Sequence, residues 1–236
     1  KGDAFEEFVY FYLQYNSELY QVKELHVPAA TGRGFPIEVL KRLKLEKKDH
    51  GVDGVLITAQ DKWIAFQAKF RSNRLSLSYE ELATFWTEAE YADSRLIITN
   101  SVSLPSLAEK KAGHSAVMSN ILDELDEDFF AALHEYAIGH ALPKRKPKQP
   151  RDYQAEILSD LSNGLIEHDR GKLIAACGIG KTLIALWLTE QRDDKAVLFL
   201  APSLQLIRQT LGEWAREAST AFEYLCVCSD QTVDIE

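Results

Sequence analysis

The sequence predicts an α/β protein of two domains, and three observations carry that prediction. A pair of short apolar strands, "GVDGVLITAQDKWIAFQAKF" at residues 51–70, sits among helical patterns in the first half. A basic, proline-rich stretch, "LPKRKPKQPR" at residues 142–151, has no apolar periodicity. Beyond it strands alternate with helices, the order of a parallel sheet built from right-handed crossovers. The expected domains are therefore residues 1–141 and 151–236, with a linker at 142–150.

In chain order, Phe5, Phe8, Val9 and Tyr12 recur at helical spacing, which predicts a helix over 3–15. "YQVKELHV" reads as a strand or connector, "PAATGRGFP" as a loop and "IEVLKRLKLE" as a helix. The hairpin turns at about Gln60–Lys62. "SYEELATFWTEAEYA" is an amphipathic helix, "RLIITN" a buried strand, and "LPSLAEKKAG" a helix with proline in its first turn. "VMSNILDELDEDFFAALHEYAIG" reads as one long helix with a solvated acidic face. After the linker come helix "DYQAEILSDLSNGL", strand "GKLIAA", a glycine turn and helix "KTLIALWLTEQ". Strand "AVLFLAP", helix "LQLIRQTLGEWARE" and strand "FEYLCVCS" complete the pattern.

Composition narrows the functional classes. At 46% hydrophobic and 27% charged, with a formal net charge of -9, the chain suits a globular protein and not a generic polyanion binder. A local basic groove remains compatible with that balance. No apolar run approaches the ~18 residues of a membrane span, and the first residues enter a helix pattern directly, with no visible signal peptide. The missing initiator Met suggests a trimmed or fragmentary chain. Three cysteines point to a reducing, cytoplasmic setting, with Cys226 and Cys228 packing on one strand face. His26, His50, His114, His134, His140 and His168 share no metal-ligand spacing, and Trp63, Trp86, Trp187 and Trp214 read as core.

"AACGIGKT", residues 175–182, fits a phosphate-binding loop between a strand and a helix, with Ala175 where the first glycine usually stands. Gly178 and Gly180 allow a tight turn that aims N–H groups at a phosphate, and the following helix adds its positive end. Lys181 can reach the β- and γ-phosphates of ATP, and Thr182 can offer its hydroxyl to Mg²⁺. Upstream, "RDYQAEIL" resembles the Q-motif of superfamily 2 helicases and translocases, and downstream "LFLAPSLQLIRQT" resembles their motif Ia. The resemblance covers about residues 151–228 and implies a RecA-like lobe in which Gln154 reads adenine and the motif Ia loop touches DNA. No Walker B acid pair follows; "DELDED" at 123–128 precedes the loop and lies on a helix. The expectation is weak ATP binding without hydrolysis, ATPase activity belonging to a longer parent.

In the hairpin, Asp53 opens one strand, while Gln67 and Lys69, two apart, share a face of the other. Phosphodiester hydrolysis needs a carboxylate for Mg²⁺, a further oxygen ligand and a cation near the attacking water. Packing alone would allow Asp53 to cap a turn with Gly54 and Lys69 to snorkel. The pattern, with "GDAFE" on a preceding helix, resembles the Mrr-like branch of the PD-(D/E)xK nucleases. That resemblance implies Asp53, Gln67 and Glu6 as Mg²⁺ ligands and Lys69 as the group that orients or deprotonates water, with Glu7 the neighbouring alternative to Glu6.

The order of the two halves resembles the front of Type ISP single-chain restriction–modification enzymes. It implies a cytoplasmic prokaryotic enzyme that acts on double-stranded DNA, followed in the parent by a further motor lobe and by methyltransferase and target-recognition domains. The isolated chain is then expected to cut weakly and without sequence specificity. Two alternatives stand beside this reading: a repair or remodelling motor whose nuclease-like domain only clamps DNA, and a Type I or Type III restriction motor subunit.

Overall fold

A computed structural model describes residues 2–45, 51–109, 113–142, 147–220 and 222–227. These divide between two compact units, one of Lys1–Pro143 with Cys226–Glu236 and one of Lys144–Leu225. Expectations for His50, for Cys228 and for the middle of the basic stretch, 143–146, fall outside the described residues.

The first unit runs α1 (Gly2–Tyr15), β1 (Val22–His26), α2 (Pro28–Thr31), α3 (Ile37–Leu43), β2 (Gly54–Thr58) and β3 (Trp63–Lys69). It continues with α4 (Glu80–Glu88), β4 (Ser94–Thr99), α5 (Ser106–Glu109), β5 (His114–Val117), α6 (Ser119–Leu122) and α7 (Glu127–Ala137). The strands form one sheet in the order β1-β2-β3-β4-β5. β1, β2 and β3 are antiparallel neighbours, whereas β3, β4 and β5 are parallel. The tight turn between β2 and β3 reverses the chain, and the helical crossovers through α4 and α5 bring β4 and β5 back parallel.

Both sheet faces are apolar because both are covered. Leu56, Ile64, Phe66, Ala68, Leu96 and Ile98 pack beneath α1, α6 and α7. There Phe129 lies within ring-contact distance of Phe8, Phe11, Tyr12 and Tyr15. Val55, Ile57, Ala65, Ile97 and Ala116 face the other way, against α3, α4 and α5.

Gly54 marks the tightest approach. It pairs with Phe66 across the hairpin, and a Cβ there would lie 2.1 Å from Phe66 Cζ, a ring with no exposed surface. Gly54→Ala should therefore force the ring or the strand to move and destabilise the first unit by about 1–3 kcal/mol. A thermal unfolding midpoint unchanged from the parent chain would contradict this.

Three expectations for this unit need correction. The supposed loop at 28–36 contains α2, which starts on Pro28 and ends where Gly32 adopts φ 63°. Proline first and glycine just after the end is the ordinary signature of a short helix. The single long helix over 117–139 is instead the last residue of β5, then α6, then α7. Asp126 breaks it, because its side chain accepts a hydrogen bond from Phe129 N at 2.9 Å and so starts a new helix. β5 itself was not expected: its four residues, all buried, are too few to show a period.

The second unit contains α8 (Asp152–Glu167), α9 (Lys181–Arg192) and α10 (Leu204–Glu217), packed around Leu158, Leu183, Ile184, Leu186 and Trp187. Lys148 is held to α10: its N–H donates to the buried Glu217 carboxylate at 2.8 Å. The parallel strands expected at 171–176, 196–202 and 222–229 form no ladder among the described residues. Parallel strands are stable when both faces are covered. Here Leu173 packs into the helix cluster, while Ile174, Leu225 and Val227 stay exposed. Residues 197–200 nonetheless alternate at 48%, 83%, 41% and 80% exposure, the period of two that a strand imposes.

Candidate functional site

The hairpin brings Asp53, Gln67 and Lys69 to the end of the sheet where the parallel strands β3 and β4 finish. Asp53 precedes β2 and clasps β3 on either side of Gln67. Its N–H donates to Phe66 O at 3.0 Å, and its Oδ2 accepts from Ala68 N at 2.6 Å. A carboxylate offers about four lone-pair directions, so one backbone donor does not exhaust its capacity as a ligand.

Gln67 is 2% exposed. Its Nε2 donates to Gly51 O at 2.8 Å, which fixes the amide orientation, and its Oε1 has no hydrogen-bond partner. A buried acceptor without a donor is costly, by about 1–3 kcal/mol. A cation or an ordered water at this position would satisfy the atom. Gln67 and Lys69 alternate with Ala65 and so share the sheet face of α3, α4 and α5. Lys69 is half-buried at the last position of β3, opposite Thr99 of β4.

Glu6 is half-buried and Glu7 exposed. α1 covers the other sheet face, so Glu6 can approach the site only around the end of β3. Phe5, one residue earlier, packs against Phe70 there, with ring centroids 5.7 Å apart. Among the described residues no group of three or more His, Cys, Asp or Glu is placed to hold a metal ion. The candidate site instead combines one acid with an amide oxygen. That set of hard oxygen donors fits Mg²⁺, which keeps several waters.

Sequence reasoning missed the supports of this site. The backbone just beyond Lys69 is gripped by the end of β4. Thr99 Oγ1 donates to Lys69 O at 2.7 Å, Asn100 Oδ1 accepts from Arg71 N at 2.7 Å, and Asn100 Nδ2 donates to Arg71 O at 2.7 Å. Arg71 is paired with Glu81 of α4, whose carboxylate also accepts from Ser78 N. The available signal was the abrupt change from "LII" to "TNS" at the end of an apolar strand.

In the second unit, Gly178 and Gly180 adopt φ 82° and 83°, the left-handed turn that precedes α9. Lys181 Nζ donates to Ala176 O at 2.8 Å and to Ala175 O at 3.3 Å, folding back over its own loop. Thr182 is half-buried, and its carbonyl accepts from Trp214 Nε1 at 2.9 Å, which ties α10 to the start of α9. Gln154 is buried. Its Oε1 accepts from Arg151 N at 2.9 Å and its Nε2 donates to Ile179 O at 2.8 Å, so its amide bridges the start of α8 and the glycine loop.

Comparison with known proteins matches each half to a family model. Residues 36–128 match the model described as restriction endonuclease, and residues 147–233 match that of the Type III restriction enzyme res subunit. The chain joins a restriction-endonuclease-like domain to a helicase-like domain. Probable helicases from two tick isolates of African swine fever virus are 31% and 29% identical to it, over 144 and 146 residues, in each case 61% of this chain. The chain spans only 16% of the length of these relatives. Among solved structures, the ATP-dependent Type ISP restriction–modification enzyme LlaBIII bound to DNA aligns over 93% of this chain and 14% of its own length. The TM-score is 0.66 at 24% sequence identity, a likeness of fold. Among the described residues of both domains, no helix is long and apolar enough to cross a membrane.

Proposed function

We propose that the endonuclease-like domain hydrolyses phosphodiester bonds of double-stranded DNA with Mg²⁺, and that the helicase-like domain binds ATP. The observation that carries the first part is the buried Gln67 Oε1, unpartnered beside an acid that clasps the same strand, with Lys69 two residues along on the same face.

Asp53 and Gln67 would hold the metal ion, with Glu6 contributing through a bound water. When bound, Mg²⁺ would polarise a phosphate oxygen and acidify water. Lys69 would orient the attacking water through Nζ and offset charge gathering on the phosphate, the water's proton passing to solvent. Gln154 would shape the glycine loop and approach adenine, while Gly178, Gly180, Lys181 and Thr182 would cradle phosphates and their Mg²⁺.

In a longer parent these domains would belong to an ATP-dependent restriction enzyme that translocates on DNA, its other domains supplying the recognition of target sequences. The match of residues 147–233 to a Type III res subunit model favours, as a second reading, a restriction motor subunit of that type.

The test is incubation of the purified chain with supercoiled plasmid and Mg²⁺ or Mn²⁺. Nicking that stops on chelation is expected. A folded chain that binds DNA in a salt-dependent way but never nicks it would replace the nuclease by a DNA clamp.

A further inference from the structure

β4 ends in a way that packing does not require. After Leu96, Ile97 and Ile98 come Thr99, Asn100 and Ser101, all buried, at 0%, 8% and 0% exposure. A core position filled by a polar side chain is stable only if its hydrogen bonds are made, and an apolar residue of similar shape would do as well for stability alone.

The partners of these polar atoms are specific. The Thr99 hydroxyl donates to the carbonyl of Lys69 and itself accepts from Ser101 N at 3.1 Å. The Asn100 amide both accepts from and donates to the backbone of Arg71. β3 ends at Lys69, so these bonds continue the grip of β4 on its neighbour past the last ladder position. Further along, Val102 N donates to Arg74 O at 3.1 Å and extends the same seam.

We propose that Thr99 and Asn100 are positioning residues for Lys69, fixing the backbone on its C-terminal side so that its ammonium is delivered to the attacking water. This inference rests on the nuclease reading above. A lysine ends a flexible four-carbon stem, and its reach is reproducible only if the root of the stem is held. Neither Thr99 nor Asn100 need touch metal or DNA for this.

The test uses Thr99→Val, which keeps the branched shape and removes the hydroxyl, Thr99→Ser, which restores it, and Asn100→Ala, all in the full chain with plasmid and either Mg²⁺ or Mn²⁺. Displacing a catalytic group by about 1 Å can lower a rate about 100-fold, so Thr99→Val and Asn100→Ala should lower kcat by about 10- to 100-fold. KM for DNA should stay within about two-fold, since ground-state binding is untouched, and Thr99→Ser should stay within about three-fold of the parent kcat. Amide hydrogen exchange at Arg71 should accelerate in Asn100→Ala while the centre of β3 keeps its protection.

Parent-like kcat in folded Thr99→Val overturns the proposal, as does a fall in Thr99→Ser equal to that in Thr99→Val, which would mean packing alone. A parent chain that nicks with neither metal overturns the nuclease reading itself. A parent that nicks beside an unimpaired Thr99→Val overturns only the positioning role of Thr99 and Asn100.

Discussion

Lys69→Ala should lower metal-dependent nicking of supercoiled plasmid by about 100- to 1,000-fold, the usual effect of removing a group aimed at developing charge. The fold should tolerate the change, because Lys69 is half-buried at the end of β3 and its backbone bonds to β4 do not use the side chain. DNA affinity at moderate salt should fall only slightly, since one phosphate contact among many is lost. A paired variant, Asp53→Asn, should be as inactive and equally well folded. The amide oxygen can still accept from Ala68 N and preserve the clasp, but it has no charge for the metal. Rates of the supercoiled-to-open-circle conversion, with circular dichroism as the control, decide the matter. Parent-like cutting by Lys69→Ala would remove this residue from the chemistry.

Lys181→Ala should weaken nucleotide binding by about 10- to 100-fold, since a charge-assisted hydrogen bond contributes about 1.5–3 kcal/mol and each 1.4 kcal/mol is a factor of ten. In the structure the ammonium turns back on the carbonyls of Ala175 and Ala176, so a triphosphate must draw it off these weaker acceptors. Because Lys181 is exposed at the first position of α9, the helix cluster should keep its stability. Titration with a fluorescent ATP analogue, with tripolyphosphate as competitor, reads the change. Equal affinity in the variant and the parent would mean that the glycine loop does not hold the phosphates.

The hairpin and its site were legible because both depend on local rules. Strand alternation alone places Gln67 and Lys69 on one face, and the turn after Thr58 fixes Asp53 against Gln67. The supports were not legible. Gly51 lies 16 positions from Gln67, and Asn100 lies 29 from Arg71, so neither contact exists until the sheet does. Gln154 shows the same limit from another side. Its sequence setting suggests an adenine reader, and does not reveal that its amide bridges Arg151 and Ile179 of the glycine loop, 25 positions away. Helix boundaries failed where two signals competed. The apolar period ran through 117–139 unbroken and concealed the capping by Asp126, and in "PAATG" the glycine and proline suggested a loop although their order is that of a helix. The strands of the second unit illustrate a further point. Apolar alternation reports a capacity to pair, and pairing itself depends on what lies alongside.

The amide at position 67 also sets the electrical character of the site before any cation arrives. Two carboxylates in that place would repel an approaching polyanion until metal had neutralised them. With an amide there, Asp53 is the one carboxylate of the trio it forms with Gln67 and Lys69, and under the proposed function a phosphodiester would meet a lower barrier. If these residues hold Mg²⁺ as proposed, no order of assembly would be imposed: substrate and metal ion could each enter first.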